Sequence, residues 1–487
     1  MKPTVLVLLG CLLMMMPGTV RAQNGFPEIT VRPGQRSLPP LPANTTPPLA
    51  SPDIVPPAVP LQPTVPLEPL PLPPAPVYAT PPLPEATTPD PATAFPTTRY
   101  STVYPPHVDT IDVPQRPSLF RDYDDVFGGH RLWVETDYLL WWLRKAPIGV
   151  PLVTTGPFTD PTAGHLDDPL THILLGPGGF DSSATSGGRI RAGIWIEPFL
   201  GVEFAGMLFA PIRSSQSFGS DASGIPILSR PVMIGGAEHS YDIAYPGHWN
   251  GSFSAESTTH LDGFEVNFVG FGLGPRALSM EFLAGFRYAH LGDDLDLNQS
   301  IHNQIGMLAF NRIVDAGANI SVLDQYRTTN QFYGGQIGAR GEWTDGPFSV
   351  ALSGKLGLGV DEQTLTVNGS THLREANGAT SDYAGGILAN AANIGRYQAN
   401  RFAMMPELGV TFGYWITPNV RLSLGYSALY WTDVLRAGNQ IDRRVNPIYV
   451  PLDMSYAPGA AVVRQPPPML RSDFWAEGLL FGAEIRY

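Results

Sequence analysis

Ionisable residues recur at alternate positions within apolar stretches of the chain beyond residue 130. Alternate residues of an extended strand share one face, so these charges would line one side of a sheet whose other side is apolar. Eight are acids and seven are bases: Glu135, Asp137, Arg189, Arg191, Glu203, Glu265, Glu281, Arg287, Arg340, Glu342, Lys355, Glu407, Arg421, Glu484 and Arg486. Opposed acids and bases around a cavity can orient small polar solutes, or they can pair with one another and fill the cavity.

Signatures of catalysis and of metal binding are weak. The ten histidines are scattered, and the sequence contains no His-Glu-x-x-His, Gly-x-Ser-x-Gly or Gly-x-x-x-x-Gly-Lys motif. Asp293, Asp294 and Asp296 could bind Ca²⁺ in a loop, but they lack the spacing of a calcium-binding loop, and solvated carboxylates are the simpler interpretation. Cys11 is the only cysteine. We therefore expect no enzymatic activity, no metal and no cofactor.

Apolar residues alternate with period two in ten segments, which is the signature of β-strands. In 277–291, for example, Met280, Phe282 and Phe286 share one face while Glu281 and Arg287 lie on the other. Each segment has about the 9–11 residues, or somewhat more, that a tilted strand needs to cross a membrane. The segments are 131–143, 187–196, 200–210, 260–271, 277–291, 330–343, 347–360, 402–415, 419–431 and 474–487.

The connections between these segments alternate strictly between short and long. Antiparallel strands place successive connections at opposite ends, so all long loops would lie on one side, as in outer-membrane barrels with short periplasmic turns. The short turns are 197–199, 272–275, 344–346 and 416–418, and the long loops are 144–186, 211–259, 292–329, 361–401 and 432–473. The sequence thus predicts an all-β protein, a transmembrane antiparallel β-barrel of about ten strands over 130–487. Loop segments near Val232–Ile234 or Thr364–Val367 could raise the number to twelve.

Aromatic residues gather at the ends of the predicted strands. In a barrel they would form girdles at the two membrane interfaces, where a ring lies half in lipid and half in water. In an ordinary β-core they would simply pack inward. The residues predicted to form girdles are Trp133, Trp141, Trp142, Trp195, Trp343, Tyr414, Trp415, Tyr430, Trp431, Trp475 and Tyr487.

The N-terminal part of the chain differs sharply in composition. Residues 1–22 have the charged start, apolar run and small-residue end of a cleaved signal peptide, with a lipoprotein signal ending at Cys11 as the alternative. Between Pro27 and Pro117 lie 28 of the 51 prolines. Such sequence favours extended polyproline II over packed structure. We expect 23–125 to be a disordered periplasmic arm, either a spacer or a tether to the cell wall.

Several motifs of the second part resemble one protein family. Residues 134–142 read VETDYLLWW, 188–195 GRIRAGIW and 330–338 NQFYGGQIG, and further matches lie at 393–397, 401–403, 406–407, 425–431, 434–438 and 441–443. Together they resemble the beta-barrel porin-7 family, known chiefly from planctomycete bacteria, with Asp137 where the family pattern has glutamate. The resemblance covers about residues 131–487. It implies an outer-membrane β-barrel with a presumed transport role, and it carries no catalytic residues.

Three functions remain open at this point. The first is a narrow, porin-like channel for passive passage of small polar solutes. The second is a non-conducting structural or surface-display envelope protein whose arm tethers the cell wall, and the third is a secreted β-rich enzyme without a recognisable motif. The net charge of −13 argues against a nucleic-acid partner. The expected partners are outer-membrane lipid, the barrel assembly machinery through the C-terminal strand and, for a tethering arm, the cell wall; the sequence does not determine the oligomeric state.

Overall fold

The computed structural model describes residues 131–180, 184–197, 199–272 and 278–487. The predicted signal peptide and the proline-rich arm lie outside the described residues. In the described ranges there are eighteen strands and two 3₁₀ helices: β1 Leu132–Leu143, β2 Val153–Thr155, β3 His172–Leu175, β4 Ala184–Glu197, β5 Leu200–Phe209, β6 Ile212–Gly219, β7 Leu228–Ile234, β8 Ala237–Ala244, β9 Trp249–Gly272, β10 Leu278–Asn303, β11 Met307–Ala309, β12 Arg312–Val314, β13 Asn319–Asp345, β14 Phe348–Arg374, β15 Thr380–Ala384, β16 Gly395–Thr417, β17 Val420–Leu435, η1 Ala437–Gln440, η2 Pro447–Tyr449 and β18 Arg471–Arg486. No helix of the described ranges is long and apolar enough to cross a membrane.

Ten of the strands close into an antiparallel ring. Its order is β1, β4, β5, β9, β10, β13, β14, β16, β17 and β18, and β18 pairs back onto β1 from Trp133↔Arg486 to Leu143↔Ala476. Each ring strand covers, to within one residue at each end, one of the ten segments that show period-two alternation in the sequence. The prediction of an all-β antiparallel barrel of about ten strands is confirmed.

The short turns lie at one end of the ring, which we call the turn end, and the long connections lie at the other, the loop end. The turn between β13 and β14 shows how the sequence makes a tight reversal: Asp345 pairs with Phe348, and Gly346 between them has φ 58°. Glycine adopts this left-handed conformation without the steric cost of a side chain. Short turns face the periplasm in outer-membrane barrels, so the sequence analysis predicts that the turn end is the periplasmic end.

Five ring strands run far beyond the length needed to cross a bilayer. β10 has 26 residues and β13 and β14 have 27 each, and their ladders are continuous from the turn end to the loop end. A spanning strand needs only about 9–11 residues. Much of the sequence expected to form loops at 211–259, 292–329 and 361–401 is therefore strand, and the barrel wall continues outside the membrane.

Neither of the two loop segments considered as extra strands enlarges the ring. Thr364–Val367 lies within β14, and Val232–Ile234 ends β7, which belongs to a separate four-stranded sheet of order β3, β2, β7 and β8. β6 pairs with β9 and β15 with β14 beyond the ring proper, so the sheet has twelve strands while the ring has ten.

The extended walls and the long connections share one hydrophobic core at the loop end, which we call the external core. It includes Ile320 and Val322 of β13, Val367 of β14 and Val232 of β7, all fully or almost fully buried. Buried ion pairs fasten the connections to the walls. The Arg230 guanidinium lies 2.6 Å from a carboxylate oxygen of Asp324, whose other oxygen accepts hydrogen bonds from backbone N–H groups of the connection before β16.

Five of the eleven residues predicted to form girdles lie on the inner face instead: Trp133, Trp141, Trp195, Trp415 and Trp431. Strand alternation is the reason, since neighbours such as Trp141 and Trp142 must point to opposite faces. Inner glycines make room for the inner rings: a Cβ on Gly193 would lie 2.1 Å from the indole of Trp133. The other six are on the outer face, toward the turn end for Trp343, Tyr414 and Tyr487 and toward the loop end for Trp142, Tyr430 and Trp475.

Candidate functional site

The inner face of the ring carries all fifteen charged residues named in the sequence analysis. They lie in the half of the barrel nearer the turn end, on the opposite face from exposed apolar residues such as Phe282, Ile337 and Phe412. Each of the fifteen has an oppositely charged group within 4.0 Å. We call this set the charged layer.

The centre of the charged layer is a cluster of two acids and two bases. Arg287 donates to Glu407 at 2.7 Å and lies 3.7 Å from Glu265, while the Lys355 ammonium group donates to Glu265 at 2.8 Å. Arg189 connects the cluster to β1 through a 2.8 Å hydrogen bond to Asp137. These residues come from six different strands, and ring closure brings them together.

Nearer the turn end, the remaining charges form smaller groups. Arg340 bridges Glu281 at 3.0 Å and Glu203 at 3.2 Å. Arg191 pairs with Glu135 at 2.5 Å, directly across the β1–β4 ladder. Arg421 and Arg486 share Glu484 and Glu342. Opposite charges are thus paired within each group, and only the Arg340 group, with two acids and one base, keeps a formal charge of −1.

Uncharged residues complete the layer. Gln336, which the sequence analysis did not single out, donates to Glu265 at 2.9 Å and to Asn267 at 2.6 Å. At the turn end, the guanidinium groups of Arg486 and Arg421 lie 4.4 and 5.5 Å from the ring centroid of Trp415, which the sequence analysis assigned to a girdle. Period-two alternation along their strands already places these residues on the same face as the charged residues, so the sequence contained the signal that identifies them.

A second layer, which we call the apolar layer, fills the lumen above the charged one. Its members are inner-face residues that pack directly against one another and are at most 7% exposed. They are Leu139, Trp141, Leu143, Phe209, Leu261, Ala289, Leu291, Phe332, Ala403, Met405, Leu429, Trp431, Val434, Phe474, Ala476 and Leu480. Large side chains thus occupy the centre of the barrel at this level, and water is excluded from it.

The end of β17 and the chain that follows it turn inward and close the lumen from the loop end. The Asn330 side chain holds them there, because its amide accepts from the Leu435 N–H at 2.6 Å and donates to the Leu435 carbonyl at 2.9 Å. The next residue, Arg436, is fully buried and ion-paired with Asp293 of β10. Nothing in the sequence indicated this pair, since its members are 143 positions apart and lie in stretches expected to be loops.

The three aspartates considered for Ca²⁺ are not gathered into one site. Asp293 faces inward and pairs with Arg436, whereas Asp294 and Asp296 lie on the outer face near Arg327 and Gln325. Within the described ranges, no group of three or more His, Cys, Asp or Glu residues is arranged to hold a metal ion.

The remaining space in the charged layer is small. A cavity of about 70 Å³ lies among Glu135, Arg191, Glu281, Arg340 and Glu407. That volume accommodates a few water molecules. What the arrangement can do chemically is hold water and opposite charges in fixed positions; solute passage would need both layers to rearrange.

Comparison with known proteins agrees with this architecture. The pattern of the family described as "Putative beta barrel porin-7 (BBP7)" matches residues 133–487. The chain therefore belongs to this family, and the protein is an outer-membrane β-barrel. No curated protein matches the sequence.

Solved outer-membrane proteins share only a distant likeness. The outer membrane protease OmpT from Escherichia coli is 10% identical, with 73% of this chain and 97% of that chain covered and a TM-score of 0.34. OmpT of Vibrio cholerae is 9% identical, with 73% and 97% covered and a TM-score of 0.12. The P. putida toluene transporter TodX is 10% identical, with 76% and 93% covered and a TM-score of 0.14. At such scores these likenesses carry no argument about activity.

Proposed function

We propose that this outer-membrane barrel is a non-conducting, non-enzymatic envelope protein that anchors a folded external structure in the membrane. The observation that carries the proposal is the double filling of the lumen by the charged layer and the apolar layer. Ten strands leave little room for a channel in any case, because eight-stranded barrels are filled by side chains and open aqueous channels are typical of 16–18 strands.

The external structure supports the same function. The walls continue beyond the membrane, and the connections fold onto them around one large core with buried ion pairs. Ordered elements of this size form a defined surface rather than loose loops. We propose that the protein presents this surface outside the cell.

The remaining parts of the proposal rest on the sequence. Residues 1–22 direct export and are removed, the C-terminal strand is recognised by the barrel assembly machinery, and the proline-rich arm reaches toward the cell wall. At about 3.1 Å per residue, some 90 residues of polyproline II span at most about 280 Å.

Single-channel recording in planar bilayers tests the proposal. The folded full chain, checked by heat-modifiable gel mobility, is expected to give no current above the background of protein-free bilayers. A stable conductance that scales with the number of inserted barrels would overturn the non-conducting assignment.

A narrow channel for small polar solutes is the second candidate function. The charged layer favours it, since its cavity is lined by both acids and bases, which suits small polar solutes. If the barrel conducts, Glu281→Gln and Arg287→Gln should shift cation-over-anion selectivity in opposite directions, because each removes one sign of charge from the lumen. Conductance with unchanged selectivity in both variants would show that the current does not pass the charged layer.

A further inference from the structure

The barrel wall has a break between β16 and β17 at its external end. The ladder between these strands begins only at Glu407↔Leu429, so no strand of the described ranges pairs with residues 395–406 of β16 on that side. Pro406 stands where the ladder ends, and proline has no N–H with which to continue it. Beyond this point β17 bulges between Trp431 and Val434, and its end turns into the lumen, where Leu435 is hydrogen-bonded to Asn330.

The break leaves a row of backbone groups without ladder partners. Successive residues of an antiparallel strand direct their N–H and C=O groups to opposite neighbours. The N–H of Met404 faces the break, where it donates to the Thr432 hydroxyl at 2.9 Å. By alternation, the peptide groups of Arg396, Gln398 and Asn400 face the same side, where the ladder with β17 is absent.

A polar groove lies on the outer wall beside this free edge. Its volume is about 790 Å³, within the usual range for sites that bind small molecules. Side-chain amides, hydroxyls, one carboxylate and one guanidinium line it, from residues that include Gln331, Glu362, Thr364, Arg396, Gln398 and Asn400. Groups that both donate and accept hydrogen bonds in such density match a ligand rich in hydroxyls.

The groove sits at the border between lipid and water. On each of its three strands, the next outer-face residue toward the turn end is apolar and exposed: Tyr333 below Gln331, Val360 below Glu362 and Phe402 below Asn400, at 40%, 45% and 64% exposure. Polar residues thus give way to apolar ones within one outward position on all three strands. The groove is therefore level with the headgroups of the outer leaflet.

A guanidinium without an ion-pair partner lies in the groove. Arg396 is exposed and lines it, and the described residues supply no carboxylate within 4.0 Å of it. Together with the single acid Glu362 it makes the lining formally neutral, in a chain whose net charge is −13. A positive group is thus available here to an anionic ligand.

We propose that this groove binds the sugar–phosphate head of an outer-leaflet lipid. Amides and hydroxyls hold the sugar hydroxyls, Arg396 holds the anionic group, and the acyl chains lie along Phe402, Val360 and Tyr333. The proposal is independent of whether the barrel conducts.

Binding measurements on the full chain in lauryldimethylamine oxide micelles test it. The probe is lipid A carrying two sugar acids, titrated in native mass spectrometry against three comparators. Phosphatidylglycerol has charge without sugar, digalactosyldiacylglycerol has sugar without charge, and glucose 6-phosphate has both without acyl chains. We expect the lipid A probe to bind at least tenfold more tightly than each comparator.

Two variants of exposed residues separate the site from the rest of the surface. Arg396→Gln, and independently Gln398→Ala with Asn400→Ala, should each weaken binding of the lipid A probe at least tenfold. Arg213→Gln, an exposed arginine of β6 outside the groove, is the matched control and should leave binding unchanged. Heat-modifiable mobility checks the folding of each variant.

Four outcomes would overturn the proposal. Unchanged affinity in both groove variants would place the lipid elsewhere. If phosphatidylglycerol binds as tightly as the lipid A probe, the sugar is not recognised. If the neutral galactolipid does so, the phosphate is not recognised. Equally tight binding of glucose 6-phosphate would identify a soluble sugar phosphate as the ligand and reject the lipid.

Discussion

The same strands have opposite polarity in their two halves. In the membrane half of β13, Ile337 faces outward and Arg340 faces the lumen, whereas in the external half Arg327 faces outward and Ile320 and Val322 face the core. β10 shows the same inversion, with Phe282 outward and Arg287 inward in one half and Asn298 outward and Leu297 inward in the other.

The inversion shows that the solvent outside determines which face is apolar. Lipid and water demand opposite outer surfaces, and alternation then assigns the other residue type to the inside. The consequences for stability differ, because burying apolar side chains from water is favourable, whereas buried charges must all be paired to offset the cost of desolvation. The charged layer is therefore sensitive to the loss of any one partner, and the external core responds to changes in volume.

The largest effect is expected from removing one base of the charged layer. Arg287→Met leaves Glu407 and Glu265 short of a buried positive charge, and breaking such a pair typically costs about 3–5 kcal/mol. The free energy of unfolding by denaturant in phospholipid vesicles, followed by tryptophan fluorescence, measures it. Arg287→Met with Glu407→Gln should recover part of the loss; a double variant no more stable than the single one would contradict the pairing.

A positive charge introduced on the outer face of β10 should lower stability more in the membrane half than in the external half. Phe282→Arg places a charge in lipid, which costs about 2–4 kcal/mol near the middle of the bilayer. Asn298→Arg, on the same face of the same strand, is expected to change stability by less than about 0.5 kcal/mol because that position is outside the membrane. Similar losses in both variants would show that the polarity border is misplaced.

A partly buried acid of the four-stranded external sheet offers a pH test of what an unpaired charge does to stability. Asp242 accepts a 2.7 Å hydrogen bond from Ser229 but has no ion pair among the described residues, and burial raises the pKa of its carboxyl from 3.8 to about 6. A raised carboxyl pKa stabilises the fold below pH 3.8, and this contribution is lost as the pH rises through 6. Asp242→Asn should therefore stabilise the fold at pH 7.5 by a free energy on the order of 2 kcal/mol, seen as a higher Tm than that of wild type. At pH 3.5 the two Tm values should be equal. A Tm difference that is the same at both pH values would contradict the assignment.

The smallest effect on stability is expected from removing one methyl group from β13, in its external half or in its membrane half. Ile320→Val removes it from the external core, where the side chain is fully buried, and should cost about 0.5–1.5 kcal/mol. Ile337→Val removes it from the lipid-facing surface, where neighbouring acyl chains fill the space, and should be nearly neutral. Unfolding in vesicles measures both, and an equal loss at Ile337 would mean that this side chain is packed against protein.

Strand periodicity made much of the barrel predictable. The alternation of residues such as Phe282 and Arg287 indicated both the strand and its inner face, and the order of short and long connections indicated the ring. The sequence analysis recognised a strand only where the outward-facing residues are apolar. At Asn298 and Ser300 the outward residues are polar and the inward ones apolar, so the alternation continues with its polarity reversed. The prediction of a loop there was wrong for that reason.

The inner aromatic residues were predictable in part. Adjacent pairs such as Trp141–Trp142 and Tyr430–Trp431 cannot both face lipid, so the sequence already required one of each pair to point inward. Which one does so depends on register, and the inner glycines that admit the rings belong to neighbouring strands.

By itself, the amino-acid sequence determined which residues share a face, that the strands are antiparallel with turns at one end, and that acids and bases are nearly balanced on the inner face. These are properties of neighbouring positions, and alternation encodes them locally. Only the tertiary structure decided that Arg287 meets Glu407, that Asn330 holds the inward-turning chain at Leu435, and that the lumen is filled. Those contacts join residues more than a hundred positions apart, and the closure of the ring sets their distances.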